Sequence, residues 1–251
     1  ILNKKIKQTL IKKFKSSKRR MILLDYDGTL VDFNDDPELA QPEESLISLI
    51  KQLSETPKTD LAIVSGRDQY FLDQWFGDLS IAMVAEHGYF MKFKKGGWTS
   101  KGVNQKKWQD DIMPLLETFT DRTPGTFIEE KRNSLVWHYR KTDPELAAER
   151  VVELKTVLSS LISDDLNILD GDKAIEVAFG RFNKGTAVSE IISDKDLDFI
   201  ICFGDDITDE FMFNHLPQHA ITIKVGRKKT QAKYFIENPI MVKDFLASLI
   251  T

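Results

Sequence analysis

Two aspartates, Asp25 and Asp27, follow the apolar run Met21–Leu24 and precede Gly28. Four apolar residues ending abruptly in charge read as a buried parallel strand whose C-terminal tip enters a site. On a strand that continued past Leu24, both carboxylates would point the same way. Like charges that close are costly unless a cation neutralises them or one takes a proton. Two readings fit: a Mg2+ site with one aspartate as nucleophile and the other as proton donor, or an ordinary Asp-Gly turn. Other polar clusters also end apolar runs. Leu61–Val64 leads into Ser65-Gly66-Arg67, and Phe199–Phe203 leads into Gly204-Asp205-Asp206-Ile207-Thr208-Asp209-Glu210. A Ser-Gly pair is most often a turn, but after a parallel strand its hydroxyl and N–H groups can bind a phosphate oxygen. Asn183-Lys184-Gly185 opens an amphipathic segment, where a lysine is unfavourable unless an anion is near.

Taken in order, these segments resemble the four motifs of the haloacid dehalogenase superfamily of aspartyl phosphohydrolases. The wider pattern adds Ala85-Glu86-His87-Gly88, Glu129-Glu130-Lys131 and His138-Tyr139-Arg140. From about Arg19 to the C-terminus it is similar to the trehalose-6-phosphate phosphatases. The resemblance implies hydrolysis of trehalose 6-phosphate to trehalose and inorganic phosphate through an aspartyl phosphate, with Mg2+ as cofactor. It implies Asp25 as nucleophile, Asp27 as acid and then base, and Ser65 and Lys184 on the phosphoryl group. Asp25, Asp205 and the Asp27 carbonyl would hold the metal, with Asp206 and Asp209 orienting or joining that shell. The implied substrate contacts are Glu129, Lys131 and Glu176, with Gly66, Arg67, Glu86, His87, His138, Arg140 and Asn183 around them. The alternatives are a phosphatase for another sugar (sucrose phosphate or mannosyl-phosphoglycerate), a phosphomutase, or a non-catalytic sugar-phosphate sensor. Domains of this kind often follow a synthase-like domain in one chain. A link to a trehalose-6-phosphate synthase domain is therefore expected beside the small-molecule substrate.

Distant motifs can meet because open α/β sheets bind ligands beyond the carboxyl ends of their strands. Strands are expected at 21–24, 61–64, 81–85, 199–203 and 221–225, separated by segments of helical periodicity. Residues 31–41 read as a loop, where the resemblance implies a flap. From 102 the pattern changes to helix, two strands, helix and two strands, an α+β unit of its own. Pro114 falls inside its first helix and should kink or divide it. The expected fold class is α/β: a haloacid-dehalogenase-like Rossmannoid core, its parallel sheet covered by helices on both faces, plus an inserted α+β cap. The expected divisions are 1–18 as a basic N-terminal helix, 19–101 and 172–251 as core, and 102–171 as cap.

Composition limits the remaining possibilities. The 251 residues, 41% hydrophobic, suffice for a sizeable core. No apolar run approaches the ~20 residues of a membrane helix. The single cysteine, Cys202, sits in an apolar run, which excludes an internal disulfide and fits a reducing, cytoplasmic setting. Nine of the 35 basic residues and none of the 39 acidic ones lie in the first twenty positions. The body is therefore acidic, and neither nucleic acid nor a membrane is the expected partner. Leu2, Ile6, Leu10 and Phe14 give the basic start one apolar stripe, which either packs on the body or serves as an interdomain or membrane-surface segment. The chain begins at Ile1 rather than Met, as a segment of a longer polypeptide would.

Overall fold

The computed structural model describes residues 1–34, 39–101, 107–163 and 165–250. Residues 35–38 of the expected flap, and 102–106 at the expected start of the insertion, lie outside the described residues. The chain forms two compact units, Ile1–Lys101 with Asn183–Thr251, and Gly102–Phe182.

The first unit begins with α1 (Lys4–Ser16), β1 (Arg20–Leu24), α2 (Glu44–Glu55), β2 (Thr59–Val64), α3 (Gln69–Phe76), β3 (Ala82–Ala85), β4 (Phe90–Lys92) and β5 (Trp98–Ser100). The second unit contributes α4 (Lys107–Asp121), β6 (Phe127–Glu130), β7 (Ser134–His138), α5 (Pro144–Leu161), β8 (Leu166–Gly171) and β9 (Ala174–Phe179). The first unit then resumes with α6 (Lys184–Ile192), β10 (Phe199–Gly204), α7 (Ile207–His215), β11 (Ile221–Val225), β12 (Tyr234–Ile236) and α8 (Pro239–Ile250).

The core sheet runs β12-β11-β10-β1-β2-β3-β4-β5. Its first six strands pair in parallel, and β4 and β5 add an antiparallel hairpin. Every residue of β1 is buried, as a strand covered on both faces requires. From β1 the chain builds outward through β2 and β3 on one side and through β10, β11 and β12 on the other. The direction reverses between β1 and β10, the place where such sheets open a crevice. Leu24 lies level with both Ile63 and Phe203, so the three strands that carry polar motifs end together.

Helices α6 and α7 cover one face through Val188, Ile191 and Met212, packed with Leu23 and Cys202. On the other face Phe14 meets Phe199 edge-on at 5.4 Å, under the guanidinium of Arg20. The basic segment thus buries Leu10 and Phe14 in its own protein and turns most of its lysines to solvent. No described helix is long and apolar enough to cross a membrane.

The second unit is an antiparallel sheet, β6-β7-β9-β8. One face carries Leu135, Trp137, Ile175 and Val177, which pack with Ile112 and Leu116 of α4 and Leu154 and Leu158 of α5. The expected boundary at 171 is corrected: β9 lies between β7 and β8, so the unit extends to Phe182. A cut at 171 would remove a central strand. Pro114 does not divide α4, which runs through it. The side chain is exposed, and so is Asp110, whose carbonyl loses its partner to the proline, so water can satisfy that group.

Phe14→Ala should lower the unfolding free energy of the first unit by about 3–5 kcal/mol in urea denaturation. A loss under roughly 1 kcal/mol would mean that α1 is not part of that core.

Candidate active site

Strand β1 ends at Leu24, one residue before Asp25. The Asp25 N–H still donates to the carbonyl of Phe203 at 3.1 Å, which carries Asp25 alongside Gly204. The chain then turns. The Tyr26 carbonyl accepts from Leu30 N–H at 2.8 Å, and Gly28 has φ +76°. A Cβ on Gly28 would lie 2.5 Å from Cγ of Asp205, so only glycine lets this turn press against the acidic loop after β10. The strand ends at Leu24, as its apolar run indicates, so the parallel aim that a continuing strand would impose on Asp25 and Asp27 does not arise. The two carboxylates have different partners.

Asp25 faces Lys184, the first residue of α6, whose N-cap is Asn183. Nζ of Lys184 donates to Asp25 Oδ1 at 2.6 Å and to Asp209 Oδ1 at 2.7 Å. These three side chains are at most 5% exposed. The other oxygen of Asp209 accepts from the N–H groups of Asp205 and Asp206, at 2.8 and 2.9 Å. Asp209 therefore orients both the lysine and the loop. Asp25, Asp205 and Asp209 can each offer an oxygen within 4.8 Å of the others. The side chain of Asp206 does not belong to that group, nor does the carboxylate of Asp27.

Burial, reinforced by Asp209, pushes the Asp25 carboxyl up to about 7 despite Lys184. Burial followed by Asp25 and Asp209 pushes Asp205 up to about 9. Lys184 loses hydration on burial, but Asp209 and Asp25 hold its proton more firmly than usual. Oδ1 of Asp205 is buried with no hydrogen-bond partner among the described residues. Three carboxylates around one lysine, with one buried oxygen still open, fit a small divalent cation with hard oxygen ligands.

Ser65 stands at the tip of β2. Its N–H donates to Val84 O at 2.9 Å, and its Oγ accepts from Arg67 N–H at 3.1 Å, which leaves the hydroxyl proton to be directed elsewhere. Helix α3 does not start at Gly66 but at Gln69, capped by Asp68. Its dipole is therefore directed at that carboxylate rather than at Ser65. The Arg67 guanidinium grips Asp27 with two hydrogen bonds, Nε to Oδ2 at 2.7 Å and Nη2 to Oδ1 at 2.6 Å. Glu86 and His87 brace the same loop from β3: their N–H groups donate to the carbonyls of Arg67 and Ser65, at 2.9 and 3.1 Å. Both adopt left-handed backbone, φ +45° and +55°. The His87 ring lies so close to Gly66 that a Cβ there would meet Nε2 at 2.5 Å. Asn183 caps α6, its Oδ1 accepting from Thr186 N–H at 3.0 Å.

Sequence reasoning passed over Lys224. It is 2% exposed, and Nζ donates to the Asp206 carbonyl at 2.9 Å and to Glu210 Oε1 at 3.0 Å, fixing the acidic loop from β11. The available signal was a single charge inside a strand otherwise fit for burial.

In the second unit, the sheet face away from the helices is polar. Glu129 pairs with Val136, and Val136 with Glu176, so both acids lie in one row across the sheet. Phe127 and His138 share that face one step along. Glu129 Oε2 lies 2.9 Å from His138 Nε2, and Oε1 lies 3.9 Å from Lys131 Nζ. Burial works against the Glu129 carboxylate, but the hydrogen bond to His138 and the charge of Lys131 hold it below its usual range. Arg140 is tied instead to Asp172, at 2.6 Å.

A family model described as Trehalose-phosphatase matches residues 23–240. The chain belongs to the trehalose-phosphatase family. It is similar to the bifunctional trehalose-6-phosphate synthase/phosphatase of Thermoproteus tenax, 42% identical over 88% of this chain and 30% of that protein. Among solved structures, the C-terminal domain of the Candida albicans trehalose-6-phosphate phosphatase is 32% identical, with a TM-score of 0.92 over 97% of this chain and 96% of that one. A haloacid dehalogenase-like hydrolase from Bacillus subtilis shares the fold at a TM-score of 0.66 and 12% identity, over 91% of this chain and 98% of that one. The chain spans about a third of the length of the curated relatives it matches.

Unfolded carboxylates titrate near ~3.9. Above that pH and up to the folded values, the folded protein holds protons that the unfolded chain has released, so stability falls as pH rises. In chelator, the thermal midpoint should drop between about pH 4 and about pH 9, and a divalent cation replacing those protons should flatten the drop. Asp205→Asn should remove the upper part of the slope. A flat wild-type profile in chelator would contradict the cluster described here.

Proposed function

We propose that this chain is a phosphatase domain that hydrolyses trehalose 6-phosphate to trehalose and inorganic phosphate, with Asp25 as nucleophile and Mg2+ as cofactor. One observation carries the reading: buried Asp25 is held by Lys184 beside an Asp205 oxygen with no partner among the described residues. Nucleophile, fixed cation and open metal ligand share one buried corner.

A phosphate monoester dianion repels an attacking carboxylate. Lys184 offsets that repulsion, and Ser65 can direct its hydroxyl proton to a phosphoryl oxygen. A Mg2+ ion held by Asp25, Asp205 and the Asp27 carbonyl, with Asp206 and Asp209 supporting them, would neutralise phosphoryl charge. Asp25 attacks phosphorus and the bond to the sugar oxygen breaks. Asp27 delivers a proton to that departing oxygen. It then takes a proton from the water that attacks the aspartyl phosphate, which releases phosphate and restores Asp25. These steps are indifferent to the sugar. Glu129, Lys131 and Glu176, with His138 holding Glu129, form the polar face that supports recognition of a disaccharide's hydroxyls.

The name of the Thermoproteus relative supports a further expectation, that the chain works beside a trehalose-6-phosphate synthase domain. The lone, buried Cys202 supports a reducing, cytoplasmic setting.

Phosphate release from trehalose 6-phosphate, compared with glucose 6-phosphate and sucrose 6-phosphate, tests the substrate. Release should require Mg2+ and cease with chelator. Asp25→Asn should reduce turnover by about a hundredfold or more, and a smaller loss would remove Asp25 from its role. Glu129→Ala should raise KM for trehalose 6-phosphate while barely altering hydrolysis of an aryl phosphate. Equal loss on both would count against sugar contact.

A further inference from the structure

Asp27 must aim a proton at the sugar oxygen, yet no strand holds it, since β1 has ended at Leu24. What fixes its carboxylate is Arg67. Both oxygens are engaged by one planar guanidinium, at 2.7 and 2.6 Å. Two parallel bonds set the plane and direction of a carboxylate, where a lysine would supply only charge. Arg67 is itself held along its length. The guanidinium lies 4.5 Å from the Phe71 ring centroid and 5.9 Å from that of Tyr26. The peptide N–H of Arg67 donates to Ser65 Oγ, and its carbonyl accepts from Glu86 N–H. Tyr26, next in sequence to both aspartates, is fully buried and anchored through its hydroxyl to the Ala40 carbonyl at 2.9 Å. The side chains of Arg67 and Asp27 are 14% and 27% exposed, so the pair is more sheltered than a surface bridge.

We propose that Arg67 is a positioning residue for the general acid: it holds the Asp27 carboxylate in the orientation from which the leaving oxygen is protonated. This rests on the phosphatase reading above, and it gives Arg67 a different task from the substrate contact expected from sequence. The fork is already used on Asp27. When Asp27 carries the proton for transfer, the protonated oxygen gives up its arginine bond and the other oxygen keeps the group aimed. The backbone of Arg67 shares the loop of Ser65, so one turn serves both the phosphoryl contact and the acid.

A general acid matters in proportion to how poor the leaving group is, and that separates positioning from simple structural support. The experiment measures first-turnover phenol release from a series of substituted phenyl phosphates, together with steady-state hydrolysis of trehalose 6-phosphate, by wild type, Arg67→Ala, Asp27→Asn and the double variant. Arg67→Ala should lower kcat for trehalose 6-phosphate by about tenfold or more, a share of the 10²–10⁴-fold that a positioned acid supplies, with little change in KM. Its loss should grow steadily with leaving-group pKa and nearly vanish for 4-nitrophenyl phosphate. The double variant should be no slower than Asp27→Asn. Arg67→Lys should restore only part of the loss. Should Arg67→Ala fail to show a wild-type melting transition, Arg67→Gln is measured on the same series. An equal loss across leaving groups, an additive loss in the double variant, or a raised KM at unchanged kcat would overturn the proposal. Wild type that hydrolyses none of these esters would instead overturn the phosphatase reading on which it rests.

Discussion

The site depends on a buried lysine shared between two buried aspartates. Lys184 must leave water to reach Asp25 and Asp209, and each carboxylate must do the same. Such a group is tolerable only when nearly every lone pair and proton is matched, because one missing partner leaves a charge stranded at a cost of about 3–5 kcal/mol. Asp209 meets this condition fully, with one oxygen on the lysine and the other on two backbone N–H groups. Among the described residues Asp205 does not, and its buried Oδ1 is where a cation would complete the cluster. The fold bears a locally unfavourable arrangement here, as folds do at candidate functional sites.

Bringing these groups together is the work of the sheet. Lys184 is separated from Asp25 by 159 positions, yet both end on elements that converge at the reversal point between β1 and β10. The level ends of β1, β2 and β10 deliver Asp25, Ser65 and Asp205 together. The turn at Gly28 closes the gap to Asp205, and the strained corner at Glu86 and His87 props the Ser65 loop. Lys224 does the same for the acidic loop from the far side. Most of what these neighbours contribute is position, through backbone atoms, and the chemistry is left to very few side chains. The second unit follows a different logic. Its sheet buries one face on two helices and offers a polar face whose acids are already oriented by His138 and Lys131. A buried charge cluster and an open polar sheet face make different demands on packing, and the chain meets them in separate units.

Much of this was legible because it is written in short range. Apolar runs ending in polar residues gave the parallel strands except β12, whose three residues are too short to show a pattern, and the unfavourable lysine at the start of α6 correctly signalled carboxylates nearby. The order helix, two strands, helix, two strands was legible for the second unit, but its limit was placed at 171, between the two strands of the β8–β9 hairpin. What makes β9 a central strand is its pairing with β7, distant in sequence, which local pattern does not carry. Of the kink or division expected at Pro114, the division does not occur, because the cost of a helical proline depends on whether water can reach the freed carbonyl. The end of β1 at Leu24 was legible to the residue, but the different aims of Asp25 and Asp27 were not, because they depend on the turn at Gly28 and on partners distant in sequence. Arg67 was legible as a member of the loop after β2, but not as the partner of Asp27. That pairing depends on a side-chain fork meeting a carboxylate across forty residues, and no periodicity encodes it. Lys224 was missed for a simpler reason: a lone lysine in a strand usually points to solvent, and here it points inward.

We propose that Asp25 carries the phosphoryl group between sugar and water. This is tested most directly by quenching the protein during turnover of trehalose 6-phosphate, reducing with borohydride and mapping peptides by mass. Residue 25 should be recovered as homoserine, the reduction product of an aspartyl phosphate, and no other carboxylate should be converted. Rapid phosphate release with residue 25 recovered only as aspartate, or conversion at another acid, would contradict it.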